Sequence, residues 1–362
     1  MSDVHIPLGE PMYPAQVVGE PTPGWRRSGR SVWGVIGWLF LLVILFGSLL
    51  LNVGLWVLLL VRTAELEEGI VKRHFSHTKG AANQVVILTI EGALVGGENF
   101  FKKQIDMLRK DERVKAVVLR IDSPGGLVSV ADFMFHQLRQ LAQERKIPIV
   151  ASMGGMAASG GYYVSMAVGD QADVLFAEPT TFTGSIGVII PHYDLSQLLE
   201  RWGIKENSIA SHPLKNMGSI TRPMTEQERQ IFQSLVDDAF RRFKEVIKQG
   251  RPKFRANPEA LDKLATGQLF TAQQALENGL IDKIGYLEDA VQRAIELTGL
   301  DPEEVEVLRY DRQPTLANLL LGTDVAAGSG LDLAALLDAT APKAYYLCTR
   351  LPPLASSYPT GR

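Results

Sequence analysis

Residues 31–61, SVWGVIGWLFLLVILFGSLLLNVGLWVLLLV, carry no charged side chain. A helix of roughly 20 apolar residues spans the hydrocarbon core of a bilayer, and this run is longer. It therefore predicts one transmembrane helix. A cleaved signal peptide fits less well, because its apolar region is about 7–15 residues and starts close to the N-terminus. Here residues 1–30 come first, with Pro7, Pro11, Pro14, Pro21 and Pro23 and almost no apolar periodicity. Such a stretch cannot bury enough surface to offset its ordering entropy, and a disordered tail is expected. Arg26, Arg27 and Arg30 flank the span on its N-terminal side, whereas Arg62 is followed by Glu65, Glu67 and Glu68. That asymmetry puts the N-terminus in the cytoplasm and the rest of the chain across the membrane, softened by Lys72 and Arg73.

The remaining residues are enough for a sizeable core, since 46% of the 362-residue chain is apolar. Net charge is −3 with both signs mixed, so neither a basic stripe for nucleic acid nor an acidic tail is present. The single cysteine, Cys348, excludes an intramolecular disulfide, and no motif beside it supports a thiol nucleophile. The six histidines are scattered. His74 and His77, the nearest pair, lack a third ligand, so neither a metal nor a cofactor is expected.

From residue 84 short β-branched runs alternate with helical ones, the pattern of βαβ units. Strands are predicted at 84–90, 114–121, 147–153 and 173–178. Helices are predicted at 98–110, 129–145 and 225–250. In the second helix Val130, Phe133, Met134, Leu138 and Leu141 share one face. The third opens with Thr225 and Glu228 at capping-box spacing. Residues 62–83 read as a linker, 84–312 as one α/β domain without an internal repeat, and 313–362 as a C-terminal tail.

Two small-residue turns stand out. MAASGGYY (156–163) puts Ser159 between a strand and a helix start, where free backbone N–H groups favour developing negative charge. From that stretch alone a helix N-cap is the better reading of Ser159. IDSPGG (121–126) closes another strand with a proline and two glycines. Loops of this kind gather at the C-terminal ends of parallel strands, so the two turns are expected to face each other. A serine oxygen with backbone N–H donors, here those of Gly126 and Gly160, is what acyl transfer needs. Tyr162 and Tyr163 would then belong to the core or to a groove wall.

With TGSIGV (183–188) and GQLFTAQQALENGLIDKIGYLEDAV (267–291), these motifs make the chain resemble the signal peptide peptidase A family, membrane-anchored serine proteases of bacterial-type cell membranes. The resemblance runs over residues 84–295. It implies an α/β fold of the Clp-protease and crotonase type, built of repeated βαβ units, with Ser159 as nucleophile. It also implies a lysine base, placed at Lys215 in SIASHPLKNMGSITRPMT (208–225), with Lys205 as the other lysine nearby and Ser185 orienting the amine. Such a lysine must be neutral to take a proton, so burial has to bring it from about 10.4 towards 7–8. Leu214 and Met217 flank Lys215, and no carboxylate lies within several residues.

The implied substrates are hydrophobic peptides, such as remnant signal peptides in the bilayer, beside membrane lipid. Longer members carry two copies of the α/β unit and divide serine and lysine between them. One copy therefore implies a homo-oligomeric ring in which a neighbour supplies Lys215. The tail over 341–362 is expected to pack on that neighbour, near the peptide groove. Rival readings are a Ser159–His192–Asp194 triad, a crotonase-type acyl-CoA enzyme, and a noncatalytic membrane scaffold on the same fold.

Overall fold

The computed structural model describes residues 32–64, 69–313 and 345–347. The disordered tail expected over 1–30 and the reading of Cys348 lie outside those residues. The chain divides into two units, residues 1–60 and 61–362.

Helix α1 (Val32–Ala64) runs unbroken through Gly37, Gly47 and Gly54. Its window Ile36–Trp56 is 21 residues long, with mean hydropathy 2.4 and no part buried against protein. At 1.5 Å per residue that is about 30 Å, the thickness of a bilayer's hydrocarbon core. Such a helix fits a membrane anchor.

The second unit is a mixed α/β sheet with mostly parallel strands. Its first half comprises β1 (Ile70–His77), β2 (Asn83–Glu91), α2 (Glu98–Lys110), β3 (Val114–Ser123), β4 (Gly125–Leu127), α3 (Val128–Arg145), β5 (Ile149–Ala158) and α4 (Gly160–Ser165). Next come β6 (Leu175–Ala177), β7 (Phe182–Gly184), α5 (Ser196–Arg201) and α6 (Glu226–Gly250). The second half closes with α7 (Pro252–Ala256), α8 (Pro258–Leu264), β8 (Leu269–Thr271), α9 (Ala272–Asn278), β9 (Lys283–Ile284), α10 (Leu287–Thr298), β10 (Val305–Arg312) and β11 (Tyr345–Leu347). Among the described residues the main sheet runs β1-β10-β2-β3-β5-β6-β9. All neighbours on that path are parallel except β1 with β10.

Central strands read as continuous apolar runs because both faces are covered, as Val85–Leu88 and Val117–Leu119 are. Helix α10 lies across β3, β5 and β6. On α3, Val130, Met134, Leu138 and Leu141 are buried as the spacing predicts, but Phe135 takes the inward place and Phe133 is half-buried. Both halves of the capping box at Thr225 and Glu228 form, fixing the start of α6.

One reading needs correction. Residues 70–77, taken for linker, form edge strand β1 against β10. Its sequence IVKRHFSH hides the strand because an edge presents one side to water, and charges there deter pairing with other chains. Lys72 bonds Asp111 at 2.8 Å and Arg73 pairs with Asp311 at 3.2 Å. Of the tail, Tyr345–Leu347 pair antiparallel with Leu127–Gly125; the rest of 341–362 lies outside the described residues.

The sheet splits where the site lies. The first part of β5, Ala151–Met153, pairs with β6, while its last part, Met156–Ala158, pairs with β7. Between them the Asp122 carboxylate accepts the amides of Gly155 (3.3 Å) and Met156 (3.0 Å), holding β5 where its register with β3 slips.

Candidate active site

Strand β5 ends at Ala158 and α4 starts at Gly160, so Ser159 makes the turn alone, at φ 53 and ψ −112. That backbone region is comfortable only for glycine, and another residue there costs about 1–3 kcal/mol. Two hydrogen bonds hold it: the Ser159 amide to the Gly184 carbonyl at 2.8 Å, and the Tyr163 amide to the Ser159 carbonyl at 2.8 Å. The Ser159 hydroxyl makes no capping bond although the residue occupies the cap position. Helix capping therefore does not explain this serine, whose residue is 1% exposed.

The glycine turn faces it. The Ser123 hydroxyl donates to the Gly92 carbonyl (2.6 Å) and accepts the Gly125 amide (3.1 Å), pinning the loop at both ends. Gly125 sits at φ 96. Its carbonyl accepts the Leu94 amide (2.8 Å), and the Leu127 amide donates to the Leu94 carbonyl (2.7 Å). Strand alternation then turns the N–H and C=O of Gly126 to the opposite side, away from Leu94. There the Gly160 amide converges: a Cβ on Gly125 would lie 2.6 Å from the Gly160 nitrogen, and one on Gly160 would lie 3.2 Å from the Gly126 nitrogen. The Gly160 N–H, in the first turn of a helix, has no acceptor within it. Two backbone donors beside a serine are what an oxyanion site requires.

Of the other residues singled out by sequence, Ser185 is close and Lys215 is apart. Ser185 follows Gly184, whose carbonyl holds the Ser159 amide, and its own amide donates to the Gln268 carbonyl at 2.8 Å. It is 7% exposed with φ 50. Lys215 sits in a single 3₁₀ turn, Pro213–Asn216, and is exposed. Among the described residues its amine has no hydrogen bond or ion pair. Lys205 is likewise exposed. His192 meets the Ser219 carbonyl at 3.4 Å and Asp194 accepts the Ser196 amide at 2.9 Å. Both contacts are local, and neither residue bonds Ser159.

Both tyrosines after the serine are buried in the core. Tyr162 is core: its hydroxyl donates to the Leu280 carbonyl at 2.7 Å. Tyr163 packs against Phe135 at 5.6 Å and Phe243 at 5.2 Å between ring centroids. Its hydroxyl donates to Asp132, which also takes Arg242 at 3.0 Å. Burial, then the Asp132 bond, pushes the Tyr163 phenol well above its ordinary value. Ser123, Asp122 and this aromatic cluster escaped the sequence reading. Only SPGG itself, with a serine one turn ahead of its glycines, carried a signal for the first.

The chain is similar to known peptidases. Residues 141–301 match the model of peptidase family S49. A candidate protease of Synechocystis is 37% identical over 243 residues, covering 67% of this chain and 84% of that one. A candidate signal peptide peptidase, SppA, of Enterococcus faecium is 34% identical over 271 residues, covering 74% and 75%. Protease 4 of Salmonella typhi is 32% identical over 245 residues, and the match spans 38% of its length. A solved membrane-bound stomatin-specific protease overlaps 63% of this chain at TM-score 0.41 and 19% identity, too distant to bear on the site.

Proposed function

The chain belongs to peptidase family S49, and on that premise we propose that it is a membrane-tethered serine endopeptidase of hydrophobic peptides, with Ser159 as nucleophile and Lys215 as general base. One observation carries the reading: a strained, uncapped serine whose neighbouring glycine amides, Gly126 and Gly160, converge on one point. In the proposed reaction the Ser159 oxygen attacks a peptide carbonyl and the two amides hold the oxyanion. Removing one such donor typically costs about 10²–10³ in kcat, so the pair supplies a large share of the barrier reduction. A neutral amine at Lys215 takes the serine proton and passes it to the leaving nitrogen.

That amine has to lose its charge, which takes an apolar, water-poor setting. The protomer leaves Lys215 exposed, on a segment that also shows water Trp202 (68% exposed) and Ile209 (100%). A second copy covering this segment would bury both the apolar surface and the lysine, which favours a closed ring of identical subunits with Lys215 reaching a neighbour's Ser159. Ser185, beside Ser159, would orient the amine. The apolar helix would hold the site on the extracytoplasmic side, near remnant signal peptides that hardly enter water.

The test uses detergent-solubilised protein. A synthetic signal peptide is cut by the wild type and not by Ser159→Ala; equal rates would sink the assignment and favour a scaffold. Co-assembling Ser159→Ala with Lys215→Ala restores roughly a quarter of the sites if the dyad crosses a subunit interface. Mixed rings that form and stay inactive would place both groups in one chain.

A further inference from the structure

The turn that carries Lys215 has no apolar packing of its own to hold it. It is a single 3₁₀ turn, Pro213–Asn216, with no buried residue. So short a helix is not stable alone, and its orientation has to come from bonds to other parts of the chain. His212 closes the turn: its Nδ1 accepts the Leu214 amide at 3.1 Å and its carbonyl accepts the Lys215 amide at 2.9 Å. Those bonds set the shape of the turn, not its direction.

Two side chains from outside the turn act on Asn216, the residue after Lys215. The Arg222 Nη2 donates to the Asn216 carbonyl at 2.9 Å. Both terminal nitrogens of the same guanidinium also donate to the Glu228 carboxylate, Nη1 at 3.1 Å. Glu228 is 2% exposed, in the first turn of α6. A guanidinium that grips a carboxylate with both prongs is fixed in plane as well as in place, and its charge strengthens the further bond to the carbonyl. Arg222 thus ties the base turn to the buried end of α6. The side-chain amide of Asn216 donates the other way, to Glu206, which also accepts the hydroxyls of Ser208 at 2.6 Å and Ser219 at 3.1 Å. The bonds from Ser208 and then Asn216 hold the Glu206 carboxyl below its ordinary value, so it meets Asn216 as an anion.

We propose that Arg222 and Glu206 are positioning residues of the general base: they clamp Asn216 at its carbonyl and at its amide, and so aim Lys215 at the serine of the adjoining subunit. The inference rests on the shared Ser159–Lys215 site proposed above. Proton transfer needs about 2.6–3.2 Å between heavy atoms, and a base delivered by another subunit has no stretch of its own chain to fix that distance. The lysine stem is flexible, so the backbone from which it springs must be held. Neither Arg222 nor Glu206 touches the reacting atoms. Their loss therefore lowers kcat and leaves KM.

The test uses the detergent-solubilised full chain and a synthetic signal peptide. Arg222→Ala is expected to lose about 10²-fold in kcat with KM nearly unchanged, and Arg222→Lys, which returns one charged donor, to regain roughly tenfold. Glu206→Ala, a change on exposed surface, should lose roughly tenfold. Mixing then shows which partner of the dyad is impaired. Co-assembled with Ser159→Ala, which brings an intact lysine side, either variant recovers roughly a quarter of the sites. Co-assembled with Lys215→Ala, neither gains activity. Recovery with Lys215→Ala instead would put the defect on the serine side and overturn the proposal, as would recovery with neither partner or kcat within about threefold of wild type in Arg222→Ala. If Arg222→Ala does not assemble, Glu206→Ala decides by the same pattern. Ser159→Ala mixed with Lys215→Ala runs alongside as the control. Mixed rings of that pair that stay inactive would end the shared site, and the positioning role then stands or falls on the kcat loss at constant KM and its partial rescue by Arg222→Lys. A Lys215→Ala protein as active as wild type overturns both the base and its positioning.

Discussion

Replacing Gly125 by alanine separates the strain of a left-handed backbone from the geometry of the oxyanion site. Gly125 has φ 96, where a Cβ costs about 1–3 kcal/mol. Gly299, the C-cap of α10, has φ 70 with open space around it, so Gly299→Ala pays a similar backbone cost and nothing else. For domains of about 150–250 residues each kcal/mol lowers Tm by roughly 2–4 °C, so both variants should melt several degrees early. They should differ in catalysis. The new Cβ at Gly125 would sit 2.0 Å from the Tyr346 oxygen and 2.6 Å from the Gly160 nitrogen. The first clash is relieved by a shift of β11. The second is relieved only by moving the Gly160 amide, which belongs to the backbone that positions Ser159. Losing that donor lowers kcat by about 10²–10³, with KM changed far less. Steady-state cleavage of a peptide, with melting curves of both variants, gives the answer. If Gly125→Ala keeps kcat within about threefold of wild type while melting like Gly299→Ala, the two amides do not act together on the oxyanion.

Lys215→Arg should lose about 10²–10⁴ in kcat, because arginine cannot act as a proton acceptor at a usable pH. Substantial activity in that variant would remove Lys215 from the mechanism. The Glu228 carboxyl, bonded first by Arg222 and then by the Thr225 amide, is held down to about 2 from its usual 4.5. A depressed carboxyl stabilises the fold above its unfolded pKa, and that contribution fades as pH falls from about 4.5 towards 2. Glu228→Gln should flatten stability over this window when melting is followed against pH. Thr225→Ala removes the other half of the capping box and should cost about 1 kcal/mol, read by denaturant unfolding with fluorophosphonate labelling unchanged.

Elements that bury a complete face were legible in the sequence. Helix α2 was read at its observed limits, Glu98–Lys110, because Phe100, Phe101, Ile105 and Leu108 mark its inner side without interruption. Strand β5 was cut short at Met153, since GGMAA offers neither a β-branched side chain nor alternation. What extends it to Ala158 is pairing with β7, which no local pattern announces. The same holds for the site. Ser159, Gly126 and Gly160 could be named because small residues at a strand end serve few purposes, and the structure brings their backbones together. The strain at Ser159 and the anchoring of the loop by Ser123 depend on partners far along the chain, Gly184 and Gly92 among them. Tyr346 was hidden most completely. Its strand is three residues long, and its neighbours, Gly126 and Tyr163, lie in another part of the sequence.

The order of strands also sets a clock on synthesis. Strand β10 lies between β1 and β2, with Ile70 opposite Arg312 and Asn83 beside Val305, so the first two strands translated are held apart by the last of the main sheet. At about 5–20 residues per second, roughly 10–40 s pass between the appearance of β2 and that of β10. Throughout that interval β2 has an open edge. The loop that closes on Ser159 hangs from the end of β2, through the Ser123 bond to Gly92. A ribosome must therefore finish nearly the whole domain before the sheet that carries the loop beside Ser159 is complete.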